Sequence, residues 1–402
     1  MVDIRAFRGR LVSSEWLNRV PSPAYDSLST EQRRAFRANN HWSYLNVTRA
    51  PEDEATGAPI DNASLVAAAT VVLNGLIAEG AFGETDESSM YLYRLAAGDH
   101  LQTGIVAEAA VADYVNGGIL AHEQIRQARA DLLADHVVGV GHTSSPIALT
   151  FESNETIRNL IRAGRNEHPV LDWNDGTLHQ TVWRLSDEHA EALSAALAPL
   201  TAYIIDGHHR AAAAVTVAAR DDAPIEAGRM LVALFPDKAL QLLSFHRWVR
   251  GLTPDVVSEL LRTLGERFSL MPADDEGEPV RGTMGVYAAG QRYTLSLGQP
   301  STTDPLSVLD PVRLQNEVLS PLLGIVEAGA DDRLVTVSGD QSIASLEESV
   351  DVEGGVAFIV PPLETGDLFA VANAGMTMPP KSTYFVPKVR SGIFLRPVNA
   401  AS

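Results

Sequence analysis

The sequence predicts a mixed α/β protein, because helical and strand patterns alternate along most of the chain. From Asn62 to Glu79, apolar residues recur every three or four positions, which is typical of a helix with one buried face. The run from Met90 to Leu95 is rich in β-favouring residues and indicates a strand. A third stretch, Thr201 to Arg220, begins as an apolar strand, turns at Gly207 and continues as an Ala-rich helix. Together these patterns indicate helices packed on sheets.

Local signals predict further elements. Ser29 and Gln32 have the spacing of a capping box, which indicates the start of a helix. Asn174-Asp175-Gly176, between two strand-like runs, predicts a hairpin, because Asp-Gly suits a tight primed turn. Ser186 is the expected N-cap of another helix. The polar, acidic stretch from Ala273 to Gly282 is predicted to be an exposed loop or linker.

The composition restricts the class of function. Among 402 residues, 31 Lys and Arg stand against 51 Asp and Glu, which gives a net charge of −20. An acidic surface repels phosphate backbones and anionic lipids, so we expect neither a nucleic-acid nor a membrane partner. The absence of cysteine excludes disulfides, thiolate metal sites and cysteine nucleophiles. The sequence shows no signal-peptide pattern and no run of about 18 apolar residues, so we expect a cytoplasmic protein.

The densest group of chemistry-bearing residues is Asp206-Gly207-His208-His209-Arg210, at the predicted strand-to-helix junction. A helix start offers backbone N–H groups and the positive end of the helix dipole to an anion. Arg210 can grip phosphate oxygens in pairs, and either histidine can act as acid, base or phosphate ligand. Asp206 can hold Mg²⁺ or orient a proton. The pattern predicts a phosphate site, with an ordinary helix start and structural histidines as the alternative.

A second candidate is the His122-Glu123 pair. It resembles the start of a zinc-protease motif, but Arg126 occupies the position where the second histidine must lie. That motif is therefore excluded. Glu123 is left either as a general base or as a structural glutamate in the first turn of a helix.

A third candidate is the segment MPPKSTYFVPKVRSG, which concentrates basic residues in an otherwise acidic chain. Its Lys381, Ser382 and Lys388 are suited to phosphate binding, and we expect the two lysines to fold back and complete the site. The alternative is a solvated basic strand. The pair His246-Arg247 in FHRWV, considered alone, is more typical of a structural element.

Several segments together resemble one known family. In chain order they are PSPAYDSLSTEQR, SMYLYR, ILAHEQIR, YIIDGHHRAAAA, FHRWV and MPPKSTYFVPKVRSG. On these motifs the chain is identified as a member of domain-of-unknown-function family 1015. That family is similar to the SerK-type free-serine kinases, which have the ParB/sulfiredoxin-like fold. The resemblance implies an α/β (α+β) protein with a ParB/sulfiredoxin-like core and additional N- and C-terminal α/β portions.

The resemblance also implies a reaction, phosphoryl transfer from ATP or ADP to the hydroxyl of free L-serine or a similar small alcohol. Glu123 would accept the hydroxyl proton, with Asp206 and His209 as further catalytic residues and Mg²⁺ held by Asp206. Gln124 and Ile125 depart from the family pattern beside the proposed base, which bears on substrate identity. The residues that would bind the nucleotide phosphates are Gly207, His208, Arg210, Lys381, Ser382 and Lys388.

We expect three portions along the chain: an N-terminal α/β portion over residues 1–115, the core over 116–250 and a C-terminal α/β portion over 251–402. The expected partner is a small molecule, free serine or a related alcohol, and a homodimer is allowed for. A non-catalytic nucleotide sensor of the ParB-like type is the alternative function. Glu123 discriminates between the two, because a sensor has no need of a general base.

Overall fold

The computed structural model describes residues 1–54, 61–84, 87–273, 279–327, 329 and 331–399. The chain divides into two compact units, each with its own hydrophobic core. The first unit consists of Met1–Ala121, Ile125–Leu240 and Pro387–Ser402. The second unit consists of His122–Gln124 and Gln241–Val386.

The strands in chain order are β1 Ile4–Arg5, β2 Phe7–Arg8, β3 Arg10–Leu11, β4 Ser88–Ser89, β5 Tyr91–Ala97, β6 His100–Ala110, β7 Ile119–Leu120, β8 His142–Thr143, β9 Ile147–Phe151, β10 Leu171–Asn174, β11 His179–Arg184, β12 Ala202–Asp206, β13 Arg229–Pro236, β14 Gln241–Leu243, β15 Phe245–Val249, β16 Ser269–Pro272, β17 Thr283–Ala288, β18 Gln291–Ser296, β19 Leu334–Ser338, β20 Val356–Ile359, β21 Tyr384–Val386 and β22 Phe394–Pro397. The α-helices are α1 Thr30–Asn39, α2 Asn62–Ala78, α3 Val111–Val115, α4 Gln127–Val140, α5 Glu155–Gly164, α6 Asp187–Leu197, α7 His208–Ala218, α8 Pro254–Arg267, α9 Asp310–Arg313, α10 Ser320–Leu323, α11 Ile343–Glu353 and α12 Thr365–Asn373.

The first unit is built on a mixed sheet with the order β10-β11-β5-β6-β13-β9-β12-β7, and β1 pairs with β6. Most neighbouring strands are antiparallel, but β13–β9 and β12–β7 are parallel. Strand β9 is buried along its whole length, and β13 is buried except at its first residue. Such continuous apolar runs are typical of strands covered on both faces. Helix α7, which follows β12, packs on α4.

The second unit is built on a sheet with the order β16-β18-β17-β20-β15-β19, in which neighbouring strands are antiparallel. Its main core includes Leu260 and Leu264 of α8 together with Phe358 of β20. Helices α9 and α10 are joined by a π-helical segment, Leu314–Leu319, whose Val318 is fully buried. Strand β15, the FHRWV segment, is buried at every residue.

The mixed α/β class predicted from the sequence is confirmed. Helix α1 begins as predicted at Ser29, whose hydroxyl accepts from the Gln32 amide at 3.2 Å while the Gln32 side chain accepts from the Ser29 amide at 2.8 Å. Helix α2 starts at the predicted Asn62, and α6 follows Ser186 as N-cap. The ParB/sulfiredoxin-like assignment of the core stays a prediction. Of the predicted loop from Ala273 to Gly282, residues 274–278 lie outside the described residues.

The hairpin predicted at Asn174-Asp175-Gly176 forms. Asn174 pairs with His179, so the four residues 175–178 connect β10 and β11. Within this loop the Asp175 amide donates to the Leu178 carbonyl oxygen at 3.0 Å. The Asp175 carboxylate accepts hydrogen bonds from the amides of Thr177 and Leu178 at 2.9 and 2.8 Å. These bonds stabilise the loop.

The division into two units groups residues that the sequence analysis assigned to separate portions. Strands β5 and β6 of the predicted N-terminal portion share one sheet with β9, β12 and β13 of the predicted core. The observed units are defined by strand pairing and contacts, whereas the three predicted portions are consecutive stretches of sequence. The three-part division stays a prediction. Within the described residues, no helix has both the length and the apolarity needed to cross a membrane.

Gly392 provides a test of packing in the first unit. It has a φ of +85°, and a Cβ there would lie 2.8 Å from Tyr44 Cβ and 3.0 Å from the Val20 carbonyl oxygen. We expect Gly392→Ala to lower the free energy of unfolding by about 2–4 kcal/mol, from backbone strain and overpacking together. Urea unfolding followed by tryptophan fluorescence measures this change.

The matched control is Gly80→Ala, which has a φ of +77° but no atom within 4 Å of the added Cβ among the described residues. Only the backbone strain remains there, so we expect Gly80→Ala to lower the free energy of unfolding by about 1 kcal/mol. Equal losses in the two variants would show that the close approach to Tyr44 has no energetic effect.

Candidate functional site

The predicted strand-to-helix junction forms at the end of β12. The strand ends at Asp206, after a register shift against β9 between Ile204 and Asp206. Gly207 follows in the left-handed region with a φ of +98°, and α7 begins at His208. A Cβ at Gly207 would lie 2.8 Å from the Arg210 guanidinium. Glycine is therefore needed both for the turn and for the close approach of Arg210.

Asp206 lies between two cations. Its Oδ1 accepts a hydrogen bond from Lys388 Nζ at 2.8 Å, and its Oδ2 accepts from Arg210 Nη2. The Asp206 side chain is 18% exposed. Burial alone raises the pKa of this carboxyl, but the charges of Lys388 and Arg210 outweigh burial and lower the pKa to about 2. Asp206 is therefore ionised at neutral pH.

Arg210 is held by backbone as well as by charge. Its Nη1 donates to the carbonyl oxygens of Ser145 and Pro146 at 2.9 and 2.5 Å. These carbonyls belong to the loop between β8 and β9, which the sequence analysis did not single out. The guanidinium is thus fixed in one orientation over the start of α7, with its side chain still 25% exposed.

Lys388 reaches Asp206 from a segment that is tied down on either side. The carbonyl of Pro387 accepts from the Gln102 side chain at 2.7 Å. Arg390 pairs with the Asp175 carboxylate at 2.8 Å, and its Nη2 donates to Thr177 Oγ1 at 2.7 Å. We call residues 387–392 the C-terminal strap. Its anchors fix the backbone from which Lys388 extends.

Further contacts hold the end of the strap. Ser391 exchanges backbone hydrogen bonds with Ser22, at 2.9 and 3.1 Å. Its hydroxyl lies 2.6 Å from that of Ser145, next to the carbonyls that hold Arg210. The amide of Gly392 donates to Ser144 Oγ at 3.0 Å. Lys388 and Arg210 are therefore positioned by the same Ser144–Pro146 loop region.

The two histidines of the motif differ in surroundings. His208 is 4% exposed. His209 is half-buried, and its Nε2 accepts a hydrogen bond from the Arg126 amide at 3.0 Å, just before α4 begins. An accepting Nε2 requires that the neutral imidazole carries its proton on Nδ1.

The remaining predicted residues belong to the second unit. The amide of Met378 donates to the His122 carbonyl at 2.7 Å, and Glu123 forms a parallel bridge with Met378. His122 Nε2 lies 3.2 Å from Thr383 Oγ1. The Glu123 side chain is half-buried. The structure thus joins the HE pair to the MPPKST segment, two motifs that the sequence analysis treated separately.

Lys381 and Ser382 also lie in this unit, with contacts different from those of Lys388. The Lys381 ammonium lies 5.3 Å from the centre of the Phe245 ring. Ser382 is buried, and its hydroxyl donates to the Pro379 carbonyl at 2.7 Å. The first unit therefore brings together Asp206, Gly207, His208, His209, Arg210 and Lys388, and the second unit brings together Glu123, Lys381 and Ser382. The catalytic and binding roles of all nine stay predictions.

The assignment of Mg²⁺ to Asp206 does not fit the contacts of this carboxylate. Each of its oxygens accepts from a cationic side chain, so a Mg²⁺ bound there would lie beside the positive charges of Lys388 and Arg210 and be repelled by them. Over the described part of the chain, no group of three or more His, Asp or Glu is placed to hold a metal ion.

The pairing of Asp206 predicts a pH-dependent contribution to stability. The pKa of Asp206 is lowered from 3.8 to about 2, so its ion pairs stabilise the fold above about pH 4 and weaken as the pH falls towards 2. We expect Asp206→Asn to lower the free energy of unfolding by about 2–4 kcal/mol at pH 7, because two cations lose their counterion. That difference should shrink between pH 4 and 2.

Urea unfolding at a series of pH values measures this dependence, with Asp221→Asn, an exposed carboxylate in the same unit, as the control. A wild-type advantage over Asp206→Asn that stays constant down to pH 2 would mean that Asp206 is not held ionised by its partners.

Comparison with known proteins gives one family and several distant structures. "Free serine kinase in complex with AMP" is 14% identical, with 72% of this chain and 91% of that chain covered and a TM-score of 0.38. "SbnI with C-terminal truncation from Staphylococcus aureus" is 12% identical, covers 73% and 87%, and has a TM-score of 0.40. A conserved hypothetical protein from Pyrococcus furiosus is 14% identical, covers 73% and 95%, and has a TM-score of 0.36.

No curated protein matches the sequence. The family described as "Protein of unknown function (DUF1015)" matches residues 4–312, which is more than half of the chain and confirms the family predicted from the motifs. The protein belongs to the DUF1015 family.

Proposed function

We propose that the protein is a small-molecule kinase that transfers a phosphoryl group from ATP or ADP to the hydroxyl of free L-serine or a similar small alcohol. The observation that carries the proposal is the convergence of Arg210 and Lys388 on Asp206 at the start of α7. The motif resemblance described in the sequence analysis supports the same reaction class.

The charges at this junction favour an anion. Two cations, Arg210 and Lys388, pair with the carboxylate of Asp206 there, although the whole chain carries −20. The start of α7 adds the positive end of an eleven-residue helix. The N-cap residue of this helix is Gly207, which has no side chain with which to cap the helix start. Phosphate oxygens at this position would meet backbone dipoles and two cations together.

The contacts of Arg210 and Lys388 favour a preorganised site. Both side chains are held by Asp206, and Arg210 is also fixed by two carbonyl oxygens. Cations that are already in position need no reorganisation as charge develops on the transferring group. Phosphoryl transfer depends mainly on such positioning and electrostatics. In this proposal Asp206 orients Arg210 and Lys388 and does not bind a metal ion.

Glu123 is proposed as the general base. As the acceptor oxygen attacks phosphorus, its proton passes to the Glu123 carboxylate, and the bond from phosphorus to the leaving nucleotide oxygen breaks. His209, neutral with its proton on Nδ1, is suited to donate a hydrogen bond to a phosphate oxygen.

The charge of −20 supports a small-molecule partner rather than nucleic acid or an anionic membrane. A cytoplasmic location is part of the same proposal.

The phosphate site predicts a loss of nucleotide affinity in Lys388→Met, which keeps the apolar stem and removes the charge. We expect the affinity for ATP and ADP to fall about ten- to a hundredfold, the equivalent of ~1.5–3 kcal/mol for a charge-assisted hydrogen bond. Calorimetric titration measures it. The chain has only three lysines, and the exposed Lys238 in the same unit provides the control Lys238→Met. Equal affinities of the two variants would remove Lys388 from the site.

The role of Glu123 predicts that Glu123→Gln loses turnover and keeps nucleotide affinity, because a base acts in the chemical step and not in phosphate binding. A loss of about a hundredfold or more is expected for a missing general base. Phosphorus NMR of reactions with L-serine and ATP or ADP measures it, with Glu353→Gln on the surface of the second unit as the control.

Full turnover in Glu123→Gln would remove the residue as base. Nucleotide binding by the unmodified protein without transfer to L-serine, or to a panel of small alcohols, would instead favour the non-catalytic sensor.

A further inference from the structure

The FHRWV strand carries a buried arginine that the proposed reaction does not use. Arg247 is 6% exposed and lies in β15 of the second unit. Its guanidinium donates to three carbonyl oxygens, those of Phe245 at 3.2 Å, His246 at 3.3 Å and Lys381 at 2.8 Å. Burial lowers the pKa of Arg247 to about 10, and no acidic side chain in the described part of the chain counteracts it. A buried cation with only neutral partners is costly to keep.

The long-range contact of Arg247 falls on a strained residue. Lys381 has a φ of +61°, in the left-handed region that side chains other than glycine and asparagine rarely adopt. The Arg247 Nη2 donates to the carbonyl of this same residue. Lys381 also reaches back over the Phe245 ring, at 5.3 Å from its centre. We call residues 378–383 the PKST loop. Its contacts with β15 are made at Lys381, the residue of this loop whose backbone conformation is strained.

The other side of the PKST loop holds the HE pair. Met378 at its start donates its amide to His122 and pairs with Glu123. Thr383 at its end contacts His122 Nε2 at 3.2 Å. Both ends of the loop therefore touch the two-residue segment that carries the proposed base. A loop that relaxed at Lys381 would move the partners of Glu123.

We infer that Arg247 is a positioning residue, which holds the PKST loop in its strained form and through it fixes the backbone of Glu123. Arg247 touches no reacting atom in this account. The effect on turnover rests on the proposed function, because it requires Glu123 to act as base. The effect on the loop does not depend on that function.

Amide hydrogen exchange tests the inference without an activity assay. In Arg247→Met we expect the amides of Met378, Lys381, Ser382 and Thr383 to exchange about ten- to a hundredfold faster, the loss expected for a hydrogen bond from a charged donor. The rest of the β15–β20 region should keep its protection. The control is Arg250→Met, an exposed arginine of the same unit that also contacts a backbone carbonyl. Unchanged exchange in the PKST loop would overturn the inference.

A second substitution separates loop positioning from a general loss of stability. Asparagine adopts the left-handed region more readily than lysine, so adding Lys381→Asn to Arg247→Met should restore part of the protection. A structural defect of the strand would not be repaired by this change. A double variant that exchanges as fast as Arg247→Met alone would contradict the clamp at Lys381. Arg247→Lys keeps a charged donor and is included in case Arg247→Met does not fold. The PKST-loop amides should exchange more slowly in Arg247→Lys than in Arg247→Met.

The effect of Arg247→Met on turnover is measured in a separate kinetic assay. Arg247→Met should lower kcat and reduce nucleotide affinity to a smaller extent, because Arg210 and Lys388 belong to the other unit and only the predicted ligands Lys381 and Ser382 lie in the PKST loop. Faster loop exchange with unchanged kcat would show that the loop does not position Glu123, which overturns that half of the inference. Faster loop exchange in a protein without turnover would count against the proposed kinase and still support the clamp.

Discussion

The carboxylate of Asp206 is the charge on which the candidate phosphate site depends. It holds Lys388 from the C-terminal strap and Arg210 from α7, two side chains that are 178 positions apart in the sequence (388 − 210). Without this counterion, two partly buried cations would repel each other at the positive end of a helix. The low pKa of Asp206, about 2, is the consequence of that arrangement. The candidate phosphate site thus depends on a single negative charge.

A second carboxylate organises the neighbouring hairpin in the same manner. Burial raises the pKa of the Asp175 carboxyl, but hydrogen bonds from Thr177 and Leu178 together with the Arg390 charge outweigh it and lower the pKa below its usual range. Asp175 therefore shapes the loop between β10 and β11 and anchors the strap through Arg390. Because Lys388 extends from the strap, the hairpin contributes to the geometry at Asp206 without contacting it. The two acidic anchors explain how a tail segment is held accurately beside a distant helix start.

The sequence was sufficient to predict the junction and the basic tail, and insufficient to predict what joins them. An apolar run, a glycine and an Ala-rich helix are local signals, so the α7 start and its Gly207 turn could be predicted. The backbone carbonyls of Ser145 and Pro146 hold Arg210, and backbone acceptors leave no side-chain signature in a sequence. The pairing of both Asp206 oxygens with cations depends on tertiary contacts, which is why the sequence alone left a metal role open. Arg247 was interpreted as structural, and only its hydrogen bond to the strained Lys381 connects it to the HE pair.

The most direct test of the central claim is a calorimetric titration of the unmodified protein with adenosine, AMP and ADP. If the α7 junction binds phosphate through Arg210 and Lys388, affinity must rise with each phosphate, by about ten- to a hundredfold for each charge-assisted hydrogen bond that the added phosphate accepts. Equal affinities for adenosine and ADP, or no binding of any of the three, would contradict the account, because the paired cations at Asp206 would then have no phosphate to recognise.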